Sequence, residues 1–87
     1  MARFSLKRTD VELEVGWRVR LIAEFEPVAE NSEESFWVRV ASVEQKNGES
    51  VYSGLVVDYL TFTHSHGITQ GFILEFHAGN VCEIHQQ

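Results

Sequence analysis

Cysteine occurs once in the 87 residues, at Cys82, and proline once, at Pro27. A lone cysteine excludes a disulfide within the chain and with it the stapled, secreted class of small domain. A reducing, cytoplasmic setting is the expectation. Long apolar runs are missing too: no segment approaches the ~18 consecutive apolar residues of a membrane helix. The N-terminal MARFSLKRTD lacks an apolar stretch that could serve as a signal-peptide core. Basic residues are scarce, seven against thirteen acidic ones, for a formal net charge of −6. Three of the seven, Arg3, Lys7 and Arg8, stand in the first eight residues, which leaves four for the remainder. An acidic body repels phosphate backbones, so nucleic acid is not expected as partner except by mimicry of its charge, and the missing apolar runs speak against a membrane.

What is present is alternation. Val11, Leu13, Val15, Trp17, Val19, Leu21, Ala23 and Phe25 hold the odd positions, and charged residues fill most of the even ones. Period two describes a half-buried strand. Gly16 divides it into a lead-in and a main first strand over about 17–26. The rival is a short helix opened by a Thr9-x-x-Glu12 capping box, against which the β-branched valines argue. Pro27 is expected to end the strand, with VAENSEES as an acidic, solvated loop.

SFWVRVASVEQ and ESVYSGLVVDYL flank Asn47-Gly48. Asn-Gly between alternating runs signals a two-residue type I′ hairpin, because both central residues need positive φ. That loop sets the register: paired positions sum to 95. Lys46 then faces Glu49, Val40 faces Leu55, Val38 faces Val57 and Phe36 faces Tyr59, an unbroken apolar face. Further on, GFILEFH places Phe72, Leu74 and Phe76 on one side, and NVCEI reads as a one-turn helix or a short last strand. The fold class expected is all-β: a small SH3-like barrel of about five antiparallel strands with room for one short helical turn. Residues 1–87 form one domain, 1–14 as lead-in and 17–84 as barrel core.

The segments ESFWVRV, YSGLVVDYL, HGITQGFILEF and NVCEI, spanning residues 34–84, resemble a bacterial domain-of-unknown-function family of small β-rich proteins. Its members carry an aromatic-Trp-Val motif, a Gly-x-Leu-x-Asn/Asp segment and a Gly-x-x-x-Gly-Asp-x-Val-x-Phe ending. This chain departs from the pattern where Phe72 follows Gly71 in place of an acid, and where Tyr59 follows Asp58 in place of proline. The resemblance implies a compact β-rich fold and brings no activity or cofactor with it.

Two histidines, His64 and His66, invite a metal reading, since residues two apart on an extended segment point to one side. No C-x-x-C or H-x-x-x-H spacing supports them, and His77, Cys82 and His85 are distant in sequence. The alternative is architectural: Thr-His-Ser-His-Gly as a polar turn, with Gly67 at positive φ and Ile68 entering the core. For an enzyme the chain offers no marked nucleophile, no oriented base and no phosphate-binding glycine loop. The expectation is therefore a non-catalytic protein-interaction module without cofactor, binding a protein partner or itself as a homodimer. Its contact face, opposite the hairpin's apolar one, would hold Trp37, Arg39, Val43, Tyr52 and Val56, joined by Arg18 and Arg20 from the first strand. Residues 1–14, through Phe4 and Leu6, compete to cover that face. The other two expectations are metal binding through His64 and His66, and an acidic inhibitor of the immunity type using Glu24 to Glu34.

Overall fold

A computed structural model describes residues 3–4 and 12–86. Its elements are β1 (Arg3–Phe4), β2 (Arg18–Val28), β3 (Asn31–Lys46), β4 (Glu49–Val56), a helical turn α1 (Thr63–His66), β5 (Ile73–Phe76), a 3₁₀ turn (Ala78–Asn80) and β6 (Val81–His85). Strands β2 to β5 form an antiparallel meander, and β6 returns to pair with β2 on the edge away from β3. The two-residue β1 occupies the same edge further along, Phe4 opposite Ala23. The sheet is open: among the described residues no ladder joins β5 to β6, so the expected closure into a barrel is not made. Of NVCEI, Asn80 closes the 3₁₀ turn and the rest is strand. The proposed Thr9 helix and Leu6 lie outside the described residues, whereas Leu13 of the lead-in is buried and belongs to the core.

Alternation builds that core. Val19, Leu21 and Ala23 of β2 and Phe36, Val38 and Val40 of β3 line one face, all essentially inaccessible. Tyr52 stacks on Phe76 at 5.8 Å between ring centroids, and its hydroxyl accepts the Leu13 N–H at 3.2 Å. On β5, Phe76 is buried and Leu74 half-buried, as the pattern predicts, but Phe72 is exposed.

Two expectations about β3 need correction. The first is its start. Pro27 does not end β2, which runs on to Val28; the acidic segment is a hairpin turning at Ala29 and Glu30, with φ of 48° and 72°. Proline is tolerated there because the ladder is irregular between Glu24 and Val28 and needs no donor at position 27.

The second is the register. Asn47 and Gly48 do form the tight turn, φ 53° and 81°. Five pairs from Lys46–Glu49 to Ser42–Ser53 sum to 95. Ala41 then bulges out, and Val40 faces Gly54 while Val38 faces Val56. One extra residue in one strand flips every later side chain of that pair. Hence Tyr52 and Val56 point into the core, and Leu55 and Tyr59 are exposed, Tyr59 by 87%. Gly54 fits the inner face because a Cβ there would collide with Val38 Cγ1 and crowd Phe76.

Candidate functional site

The outer face of the sheet carries the exposed side chains of the same strands. Its cross-strand rows follow from the register. One row runs His85, Arg18, Arg39, Leu55, Ile73 across β6, β2, β3, β4 and β5. The next holds Glu83, Arg20 and Trp37, then come Ile22 with Ser35, and Glu24 with Glu33. Arg18 and Arg39 are both exposed and take no ion pair among the described residues. Arg20 is held differently: its Nη2 meets Glu83 Oε1 at 2.9 Å, and its guanidinium carbon lies 6.0 Å from the Trp37 ring centroid. That distance is within the range of a cation–π contact, so Arg20 and Trp37 brace each other over the sheet.

Trp37 is also fixed through its backbone. After β4 ends, its N–H donates to Asp58 Oδ2 at 2.8 Å and its carbonyl accepts the Val57 N–H at 3.0 Å. The carboxylate of Asp58 thus extends the ladder by one step beyond the last regular pair. Across the sheet, the Cys82 thiol donates to the Arg20 carbonyl at 3.3 Å, filling the irregularity between Arg20 and Leu21.

Of the seven residues expected on the contact face, Trp37, Arg39, Arg18 and Arg20 come together. Tyr52 and Val56 do not, for the bulge turns them into the core. Val43, paired with Tyr52 beyond the bulge, shares its side of the sheet near the hairpin tip and is separated from Trp37. Leu55 and Ile73 (37% and 70% exposed) replace them. Phe4 pairs opposite buried Ala23 and lies against the core ring of Phe36, so at that residue the lead-in does not cross the outer face.

The histidines part company. Four residues of helix replace the extended segment that the chelate required, and His64 is exposed while the His66 side chain is wholly buried. Ile68 N–H donates to His66 Nδ1 at 3.0 Å, which leaves the ring hydrogen on Nε2 to be given to Glu34 Oε1 at 2.9 Å. Gly67 ends the turn at φ 78° and Ile68 is buried, as the architectural reading expects. Among the described residues no group of three or more His, Cys, Asp or Glu side chains is placed to hold a metal.

Glu34 is the hub of this inner cluster, a role that sequence reasoning missed by placing it in a solvated loop. Its carboxylate also accepts N–H bonds from Thr61 at 2.6 Å and Phe62 at 2.8 Å. Burial pushes its pKa up, but the bonds from Thr61, His66 and Phe62 together outweigh burial and hold it below the ordinary value. Phe25 seals the site, 5.2 Å from the Phe62 ring and 5.7 Å from that of His66. The cluster ties the segment after β4 to the base of the acidic hairpin; its groups are spent on one another.

No family model, curated protein or solved structure matches the chain. The resemblance carried by ESFWVRV and its companions therefore rests on those motifs alone.

Proposed function

We propose that the chain is a non-catalytic protein-interaction module acting through the outer face of β2 and β3, with Arg18, Arg20, Trp37 and Arg39 as contact residues. One observation carries this reading. Three of the four basic residues beyond position 8 gather around a half-buried tryptophan on two adjacent strands of a chain with net charge −6. Arginine and tryptophan are the side chains most enriched where binding energy concentrates, and Leu55 and Ile73 add apolar area beside them. The scaffold is an open version of an SH3-like barrel: a four-stranded meander followed by β6, which comes back through a 3₁₀ turn to pair with β2. A cytoplasmic location accords with the single thiol of Cys82.

The test is retention of proteins from the native host on the immobilised chain, compared with Trp37→Ala and Arg39→Glu. A protein, this chain included, held by the parent and lost by both variants supports the reading, provided Val43→Ser at the hairpin tip still holds it. Identical retention by all four chains overturns it.

A further inference from the structure

The rows of the outer face have an order along the strands. Reading β2 and β3 together, Arg18 with Arg39 comes first, then Arg20 with Trp37, then Ile22 with Ser35, and last Glu24 with Glu33. The first and last are like-charge pairs directly across an antiparallel ladder, an arrangement that costs stability in an isolated sheet. They have opposite signs. Six residues separate them along β2, about 20 Å at ~3.3 Å per residue. That is more than twice the ~8 Å Debye length at physiological salt, so within one copy the two ends do not neutralise each other. Glu24 already takes part in a contact of its own, which makes Glu33 the principal carboxylate of the acidic end.

We infer that this face receives a second copy of the chain, packed face to face about a two-fold axis that lies in the interface and perpendicular to the strands. The inference rests on the contact face proposed above and names its occupant. That axis reverses strand direction while keeping β2 over β2 and β3 over β3. Arg18 of one copy then lies over Glu24 of the other, and Arg39 over Glu33, twice by symmetry. At the centre, the row of Arg20 and Trp37 covers the row of Ile22 and Ser35, so the indole meets an aliphatic and a small polar side chain. A two-fold axis parallel to the strands would instead set arginines on arginines, and the charge pattern excludes it. The face narrows from five strands at the Arg39 row to two at the Ile22 row, at ~4.8 Å each over a length of about 20 Å, roughly 300 Å². A standard interface takes ~800 Å² from each partner. The dimer is accordingly reversible and salt-sensitive.

Sedimentation of the 87-residue chain over a range of concentrations, at low and high salt, tests the arrangement. The parent should pass from monomer to dimer as concentration rises, with at least a tenfold weakening at high salt. Arg39→Glu alone and Glu33→Arg alone should each stay monomeric, because each sets like charges together twice. An equimolar mixture of the two should dimerise, since every contact between the unlike copies is then of opposite sign. The double variant should dimerise for the same reason. A parent that is monomeric throughout, single variants that dimerise like the parent, or a mixture that stays monomeric each overturns the inference. Circular dichroism checks that each variant folds, and Arg39→Gln with Glu33→Gln, each expected to weaken the dimer, serves if a charge reversal does not. If the dimer fails while Trp37→Ala and Arg39→Glu still lose a different retained protein, the face stands and its occupant is that protein. If both experiments fail, the face falls as well.

Discussion

Glu34 shows how much one side chain can organise once it is taken out of water. Its three hydrogen bonds are made with the ionised carboxylate, and bonds of that kind are among the stronger ones in proteins. Glu34→Gln keeps the shape, but one acceptor oxygen becomes a donor facing N–H groups. We expect a loss of about 1–2 kcal/mol at neutral pH by urea denaturation. The sign of its pH dependence follows from a folded pKa below the ordinary value of 4.5. Above that value both states are ionised and the contribution is complete; as pH falls through the folded pKa, it disappears. The gap between parent and Glu34→Gln should therefore shrink on acidification below 4.5, and a gap that persists unchanged would show that the carboxylate charge is not what matters. Gly54 makes the complementary point about space. Its missing side chain admits Val38 and the Phe76 ring, so Gly54→Ala should cost about 1–3 kcal/mol. Val38→Ala in the same chain should return part of that loss; additive losses in a urea double-mutant cycle would contradict the proposed collision.

At the scale of elements, the legible features were those whose local chemistry demands one conformation. Asn47-Gly48 is such a case. With open space around Gly48, substitution there tests backbone strain alone, and Gly48→Val should cost about 1 kcal/mol or more in a melt. The buried alternation of Val19, Leu21 and Ala23, and of Phe36, Val38 and Val40, was equally plain, since period two survives in any register. The β2–β3 turn was not readable, because Ala29 and Glu30 adopt positive φ without turn-forming chemistry, and so the Arg18–Arg39 pairing stayed hidden. The bulge left no local mark either: Ala41 looks like any strand residue, and nothing in the sequence singles out Gly54 as a core position. The four-residue helical turn Thr63–His66 likewise decided the fate of His64 and His66. The bulge carries its own prediction. Removing Ala41 should keep every pair on both sides, since Val40 would then adjoin Ser42 with alternation intact. That deletion should fold with Tyr52 still buried, at a cost within about 2 kcal/mol. An unfolded chain, or a Tyr52 turned outward by its fluorescence, would mean the bulge's bend is required for the sheet to wrap its core.

Charge is the property of the whole molecule that composition reported correctly in total and misrepresented in layout. A net charge of −6 says nothing of an outer face whose one end is basic and whose other end is acidic, set along an object 38 Å in its longest dimension. Such a layout makes stability and association pull in opposite directions at a single residue. In the monomer, Arg39 faces Arg18 directly, and replacing it by glutamate turns a repulsive pair into an attractive one worth about 0.2–1 kcal/mol. In the dimer, the same glutamate would lie over Glu33 of the second copy. Arg39→Glu should therefore melt slightly above the parent when both are dilute and monomeric. At high concentration the parent alone gains stability from its association, by mass action, and the order should reverse. Added salt screens both effects and should bring the two melting curves together. Thermal melts of both chains at two concentrations and two salt levels read all of this. A variant less stable than the parent even when dilute would mean that Arg39 is held by attractive contacts within its own chain, and that the like-charge pair is not the strain we take it to be.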